Sequence, residues 1–219
     1  MQLSNLDSDK FCCGEAYDSE LVTVKFVVYA GVMTRPTYHH GDLRAAILTE
    51  AARLVDERGA DRVSLRELAR EAGVSHAAPA HHFTDRRGLF TALAAQGFEL
   101  LAAALAEARP RFLDAALAYV RFAIEHPGHY RVMFDKSLVD SSNRELAAAQ
   151  AAAGAELSRG VASLPGQHAQ ADPSGAELAA WSLVHGFSML WLNDAVNARL
   201  KATDPMATVG RIATMLFDE

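Results

Sequence analysis

A chain of 219 residues, half of them apolar, is long enough for one large or two small domains around a substantial core. Its 21 basic and 27 acidic residues give a net charge of 21 − 27 = −6, which excludes a surface coated throughout for nucleic acid. Two adjacent cysteines, Cys12 and Cys13, have neither metal-ligand spacing nor the number for a disulfide framework, so a reducing cytoplasm is the expected compartment.

Residues 1–33 stand apart from the rest. Leu21 to Val32 is apolar and β-branched, through Val22, Val24, Val27 and Val28. A lone strand has no sheet to join here. Asp7, Asp9, Glu15, Asp18 and Glu20 precede it, where a signal peptide would carry a basic leader. The expectation is an N-terminal extension, with Met33 as the natural start. No stretch reads as the roughly 20 apolar residues of a membrane span.

Thr34 to His40 is a polar arm with Arg35, Pro36, Tyr38 and His39. A first helix is expected over 42–58, capped by Asp42, with Leu43, Ala46, Ile47, Ala51, Leu54 and Val55 as its apolar stripe and Gly59 as its end. Ser64 then caps a short helix carrying Leu65, Leu68, Ala69 and Ala72 on one face, with Glu67 placed to complete a capping box. Gly73 ends it, and Val74 follows as a buried plug. Ser75 is expected to cap a second short helix through His76, Ala77, Ala78, Ala80, His81 and His82 to Phe83. Pro79 falls early enough in it to be tolerated. Helix, glycine turn, helix is the supersecondary unit that places its second helix in the DNA major groove. An ordinary helical hairpin within a bundle fits the same local pattern.

Charge distribution bears on that choice. Residues 34–88 hold nine Arg against eight Asp or Glu, 9 − 8 = +1, and five of the nine His, leaving −6 − 1 = −7 for the remainder. A near-neutral, His-bearing part on an acidic body suits a molecule that presents one end to DNA.

The rest reads as helix. Asp85 caps a strut from Arg86 and Arg87 to about residue 107. Pro110 breaks it, and 111–125 forms the next helix. His126-Pro127-Gly128 is a stop, followed by a short apolar segment over 130–134 and a Ser/Asp-rich loop around 137–142. A helix over 143–164 ends at Pro165-Gly166. Residues 174–200 read as one long helix, apolar nearly all round, so several neighbours must cover it. Asp204-Pro205 opens a last helix to Phe217. The total is about nine helices with no sheet and no internal repeat: an all-α fold, with a three-helix head over 34–88 and a larger helical body over 89–219.

These residues resemble a known family. His40-Gly41-Asp42-Leu43-Arg44, Ser64-Leu65-Arg66-Glu67-Leu68-Ala69, Ala72-Gly73-Val74-Ser75, His82-Phe83 and Asp85-Arg86 leading to Leu89 are similar, in order and spacing, to the N-terminal DNA-binding domain of TetR-family transcriptional regulators. Trp181 with His185-Gly186, and Glu125-His126-Pro127 with Tyr130 and Met133-Phe134, resemble a Trp-His-Gly type of C-terminal domain in that family. The resemblance implies a homodimer paired through the last two helices, about 174–200 and 204–217. It also implies a double-stranded operator as partner and a small-molecule effector held by the body.

On that reading Ser75, His76, Ala77, Ala78 and His81 reach base edges, where His and Ser donate or accept and Ala touches a thymine methyl. Arg86, at a helix N-terminus, takes a phosphate, and Ser64 and Arg66 grip the opposite flank. Arg35 and Tyr38 in the arm reach toward the minor groove. The family's usual Tyr is replaced here by Ala80, which puts one phosphate contact in doubt; His81 and His82 are placed to supply another. The candidate effector pocket is Phe112, Tyr119, Phe122, Tyr130, Met133, Phe134, Trp181, His185 and Met189, an apolar set with a few polar tips. Plain core accounts for the same stripe. The histidines lack metal-ligand spacing, and no nucleophile has a base, so neither a metal, a cofactor nor an enzyme is expected. The expected function is a repressor released from a palindromic operator by a largely apolar ligand. The alternatives are a regulator without a ligand and a helical interaction module.

Overall fold

A computed structural model describes residues 40–108, 111–164 and 170–217, and every regular element among them is helical. The elements are α1 (His40–Arg58), a 3-10 turn (Ala60–Arg62), α2 (Leu65–Glu71), α3 (Ala78–Phe83), α4 (Arg86–Glu107) and α5 (Phe112–Glu125). They continue with α6 (Pro127–Met133), α7 (Arg144–Val161), α8 (Pro173–Leu192), α9 (Ala198–Lys201) and α10 (Pro205–Phe217). The extension 1–33 and the arm residues Arg35, Tyr38 and His39 lie outside the described residues, as do Pro110 and Pro165.

The stop and cap signals act mostly as expected. Gly59 and Gly73 both take positive φ, 80° and 66°, directly after helices. At the second, the Val74 N–H returns to the Ala69 carbonyl at 3.0 Å, closing α2. The Ser64, Asp85 and Asn143 side chains accept from the N–H groups of Glu67, Gly88 and Leu146. The expected capping box is one-sided, because the Glu67 carboxylate bonds Arg58 at 2.5 Å instead.

Three boundaries differ. Helix α1 begins at His40, so Asp42 sits in its first turn rather than capping it. Helix α3 begins at Ala78, not after Ser75. Ser75 to Ala78 is a turn closed by the Ala78 N–H on the Ser75 carbonyl at 3.0 Å. Pro79 therefore occupies the second helical position, where its missing N–H would have no helical partner anyway. The expected long helix 174–200 stops at Leu192. Asp194 turns left-handed with φ 51°, and Asn197 caps the separate turn α9 by accepting from Leu200. Lys201 folds back onto this corner, donating to the Trp191 carbonyl at 2.8 Å and sitting 4.6 Å above the Trp191 ring.

His126-Pro127-Gly128 is both a stop and a start, since Pro127 opens α6. Gly128 is needed for another reason. A Cβ there would lie 2.0 Å from the Ala52 carbonyl oxygen, so only glycine lets α6 cross α1 at this distance.

Helix α4 is the axis of the molecule. It packs against α1 and α3 at one end and α5, α6 and α7 along its length. The expected head–body boundary at 88/89 falls inside it. Leu89, Phe90, Leu93, Leu101 and Leu105 are fully or nearly fully buried. At 22 residues α4 is long and apolar enough to cross a membrane by length and composition, contrary to the sequence expectation. It is instead mostly enclosed by neighbouring helices, which is why it can be apolar all round.

Candidate nucleic-acid interface and body cluster

The candidate reading surface is built outward from the packing of α2 and α3. Leu68, Ala69, Pro79 and Phe83 are buried, and they fix which edges of the two helices face solvent. Ser64, Arg66, Ser75, His76, Ala77 and His81 are exposed, and Ala78 is half-buried. The turn Ser75–Ala77 and the outer edge of α3 thus present Ser, His and two small residues to a solvent-facing surface. Ala80 is exposed beside them. His82 is placed differently from His81. It lines a cleft of about 300 Å³ with Arg44, Arg87, Asp140 and Asn143.

Arg86 is held from inside. Its Nε donates to the Val63 carbonyl at 3.0 Å and its Nη2 to the Ala60 carbonyl at 2.7 Å. Its guanidinium also lies 4.7 Å over the Phe90 ring. These bonds lock the 3-10 turn to the start of α4. The neighbouring Arg87, expected only as a helix start, donates from Nε and Nη2 to the Val139 carbonyl at 3.1 and 2.9 Å. Nothing in its local sequence signals a partner 52 residues away.

The joint between α3 and α4 is strained. Thr84 has φ 64° and ψ −58°, and the Asp85 N–H meets the Phe83 carbonyl at 2.6 Å, closing a γ-turn around a β-branched residue. Gly88 makes it possible, since a Cβ there would stand 1.9 Å from the same carbonyl oxygen.

In the body, five of the nine expected pocket residues meet. The Tyr130 hydroxyl is 2.9 Å and the Tyr119 hydroxyl 3.2 Å from His185 Nδ1. Phe134 and Trp181 pack on the same imidazole, with ring centroids at 4.5 and 5.7 Å. Burial pushes the Tyr119 hydroxyl up to about 12 and raises Tyr130 as well, so both phenols stay protonated. Burial also lowers His185. The cluster is a neutral hydrogen-bonded knot joining α5, α6 and α8.

The other four lie elsewhere. Phe112 packs on Phe217 of α10, with centroids 4.8 Å apart. Met133 is buried where α6 meets Gly97 of α4. Met189 is exposed on α8. Phe122 packs on His126 and lines a groove of about 620 Å³ between α4 and α5, with Leu100 and Leu117 on its apolar side and Glu107, Asp114, Arg121 and Glu125 as charged lining. That groove was not legible in the sequence, because Leu100 and Leu117 belong to different helices brought together only by folding.

The outer faces of α8 and α10 are apolar. Leu178, Trp181, Met189 and Leu190 are exposed on the first, and Met215 and Leu216, 72% and 64% exposed, on the second.

Residues 47–93 match the family model described as bacterial regulatory proteins, tetR family, and residues 112–216 match the tetracyclin repressor-like C-terminal domain. No curated protein matches the chain. Among solved structures, a protein of unknown function from Rhodococcus sp. RHA1 is 35% identical, over 84% of this chain and 97% of its own, with a TM-score of 0.64. The TetR-family transcriptional regulator PfmR from Thermus thermophilus is 19% identical, over 80% and 95%, with a TM-score of 0.61. NalD from Pseudomonas aeruginosa, the secondary repressor of the MexAB-OprM multidrug efflux pump, is 23% identical, over 82% and 96%, with a TM-score of 0.53.

Proposed function

The chain belongs to the TetR family of DNA-binding transcriptional regulators, which are not enzymes, and from that membership we propose that it is a cytoplasmic repressor acting as a homodimer on a near-palindromic operator. The observation that carries the reading is the exposed edge from Ser75 to His81, held by buried Leu68, Ala69, Pro79 and Phe83. Ser75, His76, Ala77, Ala78 and His81 meet base edges there, while Ser64, Arg66 and His82 serve the flanks. Arg86 acts first as a brace, and any phosphate contact it makes uses what its two carbonyl bonds leave over.

The exposed apolar faces of α8 and α10 support pairing of two copies as a four-helix arrangement. The two heads of such a dimer would read two half-sites. The α4–α5 groove has the volume of a small-molecule site and lies against the strut, so an effector bound there, with apolar contacts to Leu100, Leu117 and Phe122 and charged ones at Glu107, Arg121 and Glu125, would bear on the head. A regulator without an effector is the second reading. It is favoured by the knot of Tyr119, Tyr130 and His185, which fills the expected pocket with its own hydrogen bonds.

The test is DNA binding by purified protein to fragments flanking its own gene, with a salt titration and a Met215→Glu, Leu216→Glu variant. The expected result is tight binding to one near-palindromic site, weakening steeply as salt rises, with the variant running as a monomer and losing that affinity. Binding that is weak and blind to sequence, or a variant still dimeric, would overturn the reading.

A further inference from the structure

Beyond the continuous helix α4, two of the places where the head meets the body differ in character. The first is the crossing of α1 and α6, where Gly128 faces the Ala52 carbonyl with no room for a side chain. The second is polar. Arg87, in the first turn of α4, donates twice to the Val139 carbonyl in the connection between α6 and α7. One turn on, the Thr91 hydroxyl donates to the Arg87 carbonyl at 2.7 Å and accepts from the Asp140 N–H at 2.8 Å. Two consecutive residues of the body connection are thus fastened to two consecutive turns of the strut.

We infer that Arg87, backed by Thr91, is the positioning residue that sets the angle of the reading helix to the body, and thereby the spacing of the two heads in the dimer. This rests on the reading of the chain as a two-headed operator binder.

Three features support it. Arg87 lies four residues after Phe83, the end of α3, and the strained Thr84 turn leaves no slack between them. The fastening consists of directional hydrogen bonds from one planar guanidinium to one carbonyl, which specify orientation as well as contact. Beside it lies the cleft of about 300 Å³ lined by Arg44, His82, Thr84, Arg87 and Asp140, so packing does not seal this side. With the α1–α6 crossing close-packed and the Arg87 side open, the Arg87 and Thr91 bonds are the directional polar restraint on rotation of the head at this side of the joint.

The test uses full-length protein and a palindromic duplex selected by the wild type from a random pool. Affinities are measured for that duplex, for duplexes with one base pair added or removed between the half-sites, and for a single half-site. Arg87→Ala is expected to shrink the wild-type preference for native spacing by about tenfold, with half-site affinity unchanged. Thr91→Val, which keeps the shape and removes the hydroxyl, is expected to act in the same direction by about threefold. Unchanged half-site affinity also certifies that each variant head is folded. If both variants keep the wild-type spacing preference, the inference is wrong. A fall in half-site affinity as large as that for the full site would also defeat it, because Arg87 would then merely hold the head together. If the wild type itself shows no preference for paired half-sites, the two-headed reading fails first and takes the inference with it.

Discussion

Thr84 concentrates the cost of joining α3 to α4 in one residue. A β-branched side chain at φ 64° is held there because Phe83 is buried on one side and Asp85 caps α4 on the other. Thr84→Gly removes the clash and is expected to stabilise the protein by about 1 kcal/mol, seen as a higher denaturant midpoint at unchanged slope. The neighbouring glycine has the opposite sign. Gly88→Ala would set a methyl 1.9 Å from a backbone oxygen that cannot rotate away. It is expected to destabilise by about 2–3 kcal/mol and to weaken operator binding, since the displaced element is α3 itself. Equal midpoints for the two variants would contradict this account of the joint. Arg86 shows the same economy at residue scale, since a side chain expected on a phosphate is bonded to two carbonyls of its own head.

At the scale of elements, the two serines expected as helix caps have separate roles. Ser64 caps α2 through the Glu67 N–H, whereas α3 starts three residues after Ser75 with Ala77 before it and no side-chain cap. Ser64→Ala is therefore expected to cost about 1 kcal/mol, and Ser75→Ala less than about 0.5 kcal/mol. The paired measurement is chemical denaturation, with operator affinity as the second readout. Ser75→Ala should alter DNA binding while leaving stability alone, and the reverse result would restore Ser75 as a structural cap. The break after Leu192 belongs to this scale too. Asp194, left-handed and paired with Lys201 at 2.7 Å, turns the chain so that α10 can return along α5 and α8. Because of that turn, α8 and α10 both offer apolar faces instead of one helix running on past the body.

For the whole molecule, acid is expected to act through the α4–α6 contact. His129 is buried there with its Nε2 3.0 Å from Gln96 Oε1. Burial first, and the nearby His126 second, hold it down at about 4 against an ordinary value of 6.5. The unfolded chain therefore takes up this proton before the folded one does. Stability should fall as pH drops from about 6.5 toward 4, by up to about 3 kcal/mol from this group. His129→Gln should remove that part of the slope, read as the difference between wild-type and variant denaturation curves across the window. A variant with the wild-type slope would show that His129 is not the group responsible. The same region carries the close crossing of α6 on α1, so loss of packing there would reach the head before the exposed apolar faces of α8 and α10.

Short-range physics was legible from residues alone. Ser64, Gly73, Asp85, Asn143 and Asp204 act within four residues of themselves, and apolar spacing marks the buried stripes of α1, α4 and α5, so local signals suffice for helices throughout the described residues and for a helix-turn-helix head. The resemblance in motif order led to the family for the same reason, because those motifs are local. Tertiary structure alone decided what depends on partners far along the chain. It set Arg86 and Arg87 on backbone carbonyls and split the pocket residues between a hydrogen-bonded knot, buried packing elsewhere, an open groove and an exposed face. It also brought Gly128 against Ala52, 76 residues earlier (128 − 52). A side chain's contacts across such distances are set by which helices cross and at what angle, and no periodicity in the sequence encodes that crossing.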